Sequence, residues 1–123
     1  MIELRKINDD NMDECIKLEV RDDQDDFVAC NMYSLADAYV SISNGAHATP
    51  YAIYANDEMV GFIMYDYREY PNDDTFGETC YHIWRFMIDK KHQGKGYGKQ
   101  ATDKIIAEIK TMPYAMPILE ACW

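Results

Sequence analysis

The six residues Gln93-Gly94-Lys95-Gly96-Tyr97-Gly98 have the composition and spacing of an anion cradle. Glycine has no Cβ, so its backbone N–H can approach a ligand closely. The run lies directly after an apolar, strand-like stretch and directly before a helix-like stretch. The first turn of that helix adds N–H donors with no intrahelical partner and a partial positive charge. Such a loop suits a phosphate or a pyrophosphate.

Two common phosphate loops fail on reading. A Walker loop needs Gly-x-x-x-x-Gly-Lys-Ser/Thr, but Gly98-Lys99 is followed by Gln100, and Gln93 stands where the first glycine belongs. A dinucleotide fingerprint needs Gly-x-Gly-x-x-Gly in a strand–helix unit with an acid on the next strand. Gly94, Gly96 and Gly98 have the wrong spacing for it. What remains is Gln/Arg-x-x-Gly-x-Gly/Ala, filled by Gln93, Gly96 and Gly98. For these residues alone, a glycine-rich turn without a ligand is the alternative.

The elements that must position this loop are legible in outline. Ile2 to Ile7 alternates apolar and polar and predicts a strand. Asn8-Asp9-Asp10 supplies turn and cap chemistry, and a helix is expected over about residues 11–19, with Met12, Cys15, Ile16, Leu18, Glu19 and Val20 on its buried side. Residues 21–31 read as an acidic loop. Leu35, Tyr39 and Ile42 have helical spacing in a second helix from about Ser34 to Ser43, stopped by Gly45. Tyr51–Ala55 and Met59–Tyr65 form a hairpin about a turn at Asn56-Asp57-Glu58. Pro71–Asp74 is loop, Cys80–Ile88 an aromatic strand, and Tyr97–Lys110 an amphipathic helix with Ala101, Ile105, Ile106 and Ile109 inward, ended by Pro113. Strand parity places His82, Trp84, Phe86 and Ile88 on one face.

The loop pattern, with Phe86-Met87-Ile88-Asp89 before it, resembles the acetyl-CoA site of the GNAT superfamily of N-acetyltransferases. Residues 84–99 look most like the bacterial spermine/spermidine (diamine) branch. The likeness covers about residues 1–112 and is specific around 84–106. It implies an α+β, three-layer fold: a mixed, mainly antiparallel sheet flanked by helices in the order β-α-α-β-β-β-α. It also implies backbone contacts from Phe86, Met87 and Ile88 to the pantetheine arm of acetyl-CoA. The pyrophosphate would be held by the loop from Gln93 through Gly94, Lys95, Gly96, Tyr97 and Gly98 to Lys99, with charge from Lys91 and Lys95. The apolar side chains of this strand are equally explained as core.

Acetyl transfer requires a base for the ammonium, polarisation of the thioester carbonyl and a proton for the leaving thiolate. His82 lies where some family members place a glutamate base, and an imidazole titrates near neutrality; a structural strand histidine is the alternative. Trp84 stands where polyamine acetyltransferases often carry an acid, so an apolar or cation–π wall is the other role for it. Asp22 and Asp26 in the acidic loop, with Glu78, are candidates for an acceptor wall. A merely solvated acidic loop is the competing reading.

Composition narrows the field. At 123 residues with 48% hydrophobic residues the chain is one globular domain. No apolar run is long enough for a membrane span, and the N-terminus lacks a leader profile, so a cytoplasmic location is expected. Cys15, Cys30, Cys80 and Cys122 form no Cys-x-x-Cys pair and read as reduced, mostly buried thiols; no metal is expected. The net charge of −10 argues against nucleic acid. Residues 1–30 hold ten acids and four bases, whereas residues 89–110 hold six lysines, half of all Lys+Arg, around the loop. An acidic body with one basic patch suits an anionic cosubstrate and a cationic amine; a helix face of i,i+4 ion pairs explains the same lysines.

The last residues, 113–123, depart from the family pattern. The resemblance implies further strands and a tyrosine acid beyond this point, so an incomplete fold, weak turnover and dimer formation through an exposed strand edge are expected. The rival readings are an acyl-CoA-binding or assembly protein without turnover and an aminoglycoside- or streptothricin-type acetyltransferase.

Overall fold

Among the described residues, five strands and three helices follow the expected order, with one addition at the end. The computed structural model describes residues 1–20, 30–68, 80–111 and 118–120. The elements are β1 (Ile2–Lys6), α1 (Met12–Lys17), α2 (Asn31–Ser43), β2 (His47–Ala55), β3 (Glu58–Arg68), β4 (Cys80–Ile88), α3 (Tyr97–Ile109) and β5 (Ile118–Glu120). They form one sheet in the order β1-β2-β3-β4-β5. The first four strands pair antiparallel, and β5 pairs parallel with β4. A short strand therefore follows α3 within the C-terminal tail.

Local chemistry accounts for the elements. Asn8 Oδ1 accepts the N–H groups of Asp10 and Asn11 at 2.8 and 3.2 Å, which turns the chain into α1. Asn56 and Asp57 have φ of 53° and 67°, as a two-residue hairpin turn requires. Glu58 already belongs to β3, so the turn is one residue shorter than expected.

Each sheet face carries its own core. On one side α3 sets Ala101, Ile105 and Ile109 against Ile53, Ile63, Tyr65, Tyr81 and Ile83. On the other side α1 and α2 cover Tyr54, Phe62, Met64 and Met87, with Cys15 and Ala38 from the helices. Met12 on α1 and Glu19 just beyond it are exposed rather than buried. The helix α2 is rotated from the expected setting: Tyr39 and Ile42 are 72% and 56% exposed, while Asn31, Ser34 and Ala38 are buried. The strands beneath already present bulky side chains, so only small residues fit under the helix.

Gly61 shows how closely β3 and β4 approach. A Cβ there would collide with the Met87 carbonyl oxygen and crowd Ile88 Cδ1 at 2.9 Å. Gly61→Ala is expected to cost about 2 kcal/mol, the usual scale for overpacking. Urea unfolding measures it, and an unchanged midpoint would contradict this packing.

Candidate active site

The loop after β4 carries a run of backbone N–H groups with no protein acceptor among the described residues. Gly94 and Gly96 have φ of 81° and 80°, a left-handed backbone that glycine adopts without Cβ strain. Gly96 is the N-cap of α3 and no side chain caps the helix. Among the described residues, none of the amide N–H groups from Gly94 to Lys99 finds a protein acceptor; the first bonded amide is Gln100, to the Gly96 carbonyl at 3.3 Å. A Cβ on Gly94 or Gly96 would meet nothing within 4 Å, so the space beside both glycines is open. Gly98 is different: its Cβ would lie 3.0 Å from Phe86 Cζ, so glycine lets the first turn of α3 settle on the strand.

The surrounding cations divide into two groups. Lys90 pairs with Glu19 at 3.0 Å and Lys99 with Asp103 at 3.1 Å. Lys91 and Lys95 reach no carboxylate among the described residues, although Lys95 Nζ stands 6.0 Å from the Tyr97 ring. These two remain available to an anion in the cradle.

The loop is fixed from behind by residues the sequence did not single out for that purpose. Asp89 is buried, and its two carboxylate oxygens accept the N–H of Glu19 at 2.9 Å and of Lys91 at 3.2 Å. The Lys90 N–H returns to the Glu19 carbonyl at 2.7 Å. Glu19 is thereby clasped through both its main-chain groups. Gln93 turns inward, and its Nε2 donates to the Ile88 carbonyl at 2.9 Å. Its side chain shapes the loop from within.

On β4 a register shift falls between the pairs Met64↔Arg85 and Tyr65↔Ile83, leaving Trp84 as the extra residue. A bulge of this kind redirects side chains. The expectation of one common face for His82, Trp84, Phe86 and Ile88 is therefore wrong. Phe86 and Ile88 pack on the α3 side, whereas Trp84 packs on the α1/α2 side. His82 is also on the α1/α2 side, opposite Asp66 of β3 in the register. Arg85 reaches Asp37 of α2 at 2.8 Å and stacks on Trp84 at 5.0 Å from the ring centre. The cation over Trp84 is thus an internal one.

The outer edge of β4 lies beside the loop. The Asp89 N–H bonds the Val60 carbonyl at 2.7 Å, which sets the phase of the antiparallel ladder. By alternation, Met87 pairs its main chain with β3, while Phe86 and Ile88 direct theirs to the other edge. On that edge, among the described residues, β5 pairs only with Tyr81, His82 and Ile83. The Met87 side chain is core, 6% exposed. Asp22, Asp26 and Glu78 lie outside the described residues. Of the cysteines, Cys15 is fully buried and its thiol is pushed up to about 12, chiefly by that burial; Cys30 is exposed.

At the far end of α3, Glu108 accepts from the Tyr51 hydroxyl at 3.0 Å and from the Tyr65 hydroxyl at 2.6 Å. Burial first, and then this carboxylate, push the Tyr51 phenol up to about 12 and raise Tyr65 as well. An unfolded tyrosine titrates near ~10. The raised values favour the protonated, folded state, so their stabilisation is complete below pH ~10 and disappears as pH rises through ~12. The urea midpoint is expected to fall across that window. Glu108→Gln is expected to make the fall shallower without abolishing it, because burial is the larger cause; equal slopes would contradict the role given to Glu108.

The edge of β4, the bulge at Trp84 and the uncapped N-terminus of α3 thus lie together at one end of the sheet. Comparisons with known proteins identify the family. The model of the acetyltransferase (GNAT) family matches residues 7–118. A probable spermine N(1)-acetyltransferase of Bacillus subtilis subsp. natto is 31% identical over 111 residues, 88% of this chain and 68% of that protein. The spermine/spermidine N(1)-acetyltransferase of Bacillus subtilis is 30% identical over the same length and coverage. Among solved structures, a GNAT family acetyltransferase from Staphylococcus aureus superposes with a TM-score of 0.66 at 17% identity, over 99% of this chain and 87% of that one. The Bacillus subtilis N-acetyltransferase YlbP, in complex with coenzyme A, gives 0.57 at 20% identity, over 96% and 73%. The chain belongs to the GNAT acetyltransferase family and is an N-acetyltransferase.

Proposed function

We propose that this chain acetylates a small cationic amine, a polyamine or diamine, with acetyl-CoA as donor. The observation that carries the proposal is the run of amide N–H groups from Gly94 to Lys99 without a protein acceptor. Backbone donors at and just before a helix N-terminus suit a diphosphate, and Lys91 and Lys95 add the countercharge. The edge of β4 at Phe86 and Ile88 would face the pantetheine arm, the Ile88 carbonyl already accepting from Gln93 Nε2. The net charge of −10 and the relatives' names support a cationic acceptor. Asp22, Asp26 and Glu78 are the acids assigned to its wall, with Trp84 as an apolar boundary.

Acetyl-CoA supplies an activated thioester. His82 accepts a proton from the acceptor ammonium through Nε2. The amine lone pair then forms the N–C bond, and the C–S electron pair leaves with sulfur. The second amine proton ends on the thiolate, directly or through water, and His82 returns its own to solvent.

Calorimetry with acetyl-CoA, followed by thiol-release assays with spermine, spermidine, a diamine and an aminoglycoside, tests the proposal. Saturable binding and release with the polyamines are expected. Absence of binding would overturn the donor, and release with the aminoglycoside alone would overturn the acceptor class.

A further inference from the structure

The site pairs His82 with a carboxylate outside the glycine loop. Asp66 lies directly across from His82 in the β3–β4 register and is only 6% exposed. Its Oδ1 stands 3.3 Å from His82 Nδ1. That ring nitrogen is buried and makes no straight hydrogen bond in the structure, and the whole side chain keeps 12% exposure. With Nδ1 turned inward, Nε2 is the nitrogen left facing out. Arg85 and Asp37, also on this face, are committed to one another at 2.8 Å.

A buried carboxylate beside one imidazole nitrogen has a definite chemical consequence. It favours the tautomer with the proton on Nδ1, because the alternative would set two lone pairs against each other in a poorly solvated place. The Nε2 lone pair then points outward. The carboxylate also stabilises the imidazolium that forms when Nε2 takes a proton.

We propose that Asp66 is a positioning residue that holds His82 in the Nδ1–H tautomer, so that Nε2 is ready to accept the proton of the acceptor ammonium. This rests on the reading of His82 as the base. Asp66 touches neither donor nor acceptor and acts through the imidazole. A small rotation of the ring straightens the 3.3 Å contact into a hydrogen bond.

Nitrogen-15 spectra of the imidazoles test the contact without any turnover. The chain has three histidines, so His82→Gln assigns the signal by difference. The wild-type protein is expected to show the Nδ1–H tautomer at His82. Asp66→Asn keeps the shape but offers an amide donor, so its spectrum is expected to move toward the Nε2–H tautomer. In thiol-release assays Asp66→Asn is expected to lose about a hundredfold in kcat, the lower range for proton-transfer catalysis, with acetyl-CoA affinity within twofold of wild type. A wild-type Nε2–H tautomer, or an Asp66→Asn protein with unchanged kcat, would overturn the proposal. Full turnover in His82→Gln would instead remove His82 as the base, and the purpose of Asp66 with it, while the tautomer signal would separately record the contact.

Discussion

Gly96→Asp is expected to weaken acetyl-CoA binding at least a hundredfold, about 2.7 kcal/mol. Gly96 caps α3 with a left-handed backbone, and nothing lies within 4 Å of the Cβ it lacks. An aspartate there brings a carboxylate to the amides meant for the diphosphate, where it both occupies donors and repels the ligand. The backbone strain of a non-glycine residue in this region is about 1–2 kcal/mol, at the low end for aspartate, so the chain stays folded. Gly45→Asp is the matched control. Gly45 has φ of 82° and an equally open surrounding, but it ends α2 away from the loop. Both variants should lose similar stability, and only Gly96→Asp should lose the ligand. Equal calorimetric affinity in wild type and Gly96→Asp would remove the diphosphate from the cradle.

Asp89→Ala is expected to lower stability by about 3 kcal/mol. Hydrogen bonds to a charged acceptor contribute about 1.5–3 kcal/mol each, and removing this carboxylate leaves the Glu19 and Lys91 amides without their acceptor. For a domain of this size that corresponds to a fall in Tm of about 10 °C. The same change unfastens the start of the glycine loop, so acetyl-CoA affinity should fall by about tenfold. Asp103→Ala is the contrast. Its ion pair with Lys99 is an exposed i,i+4 contact, and such pairs contribute about 0.3–0.5 kcal/mol. Calorimetric melting separates the two; a shift for Asp89→Ala no larger than for Asp103→Ala would deny the clasp its structural role.

The parts of the fold set by local chemistry were legible in the sequence. Gly94, Gly96 and Gly98 announce the loop because their backbone geometry and close packing exclude other residues. Asn56-Asp57 announces the hairpin for a related reason. The strand β4 and the helix α3 follow from their apolar periodicity. What escaped depends on long-range arrangement. The bulge at Trp84 has no sequence signature, and one extra residue is enough to send His82 and Trp84 to one face and Phe86 and Ile88 to the other. The rotation of α2 depends on side chains of strands that come later in the chain, so Tyr39 and Ile42 looked inward and point out. Asp89 grips Glu19 across 70 positions, and Asp66 meets His82 through strand pairing. Neither acid differs in composition from the many solvated ones in this chain.

Among the described residues, the strand β4 is paired on both sides only from Tyr81 to Ile83, and the stretch ending at Ile88 has a strand neighbour on one flank. A pantetheine arm laid there would finish the sheet, making the reactant a temporary piece of the architecture. Saturation at a hundred times Kd would add about 2.7 kcal/mol to the working enzyme. Its lifetime against heat and proteolysis would then follow the acetyl supply of the cell, so that the protein endures best when it has material to spend.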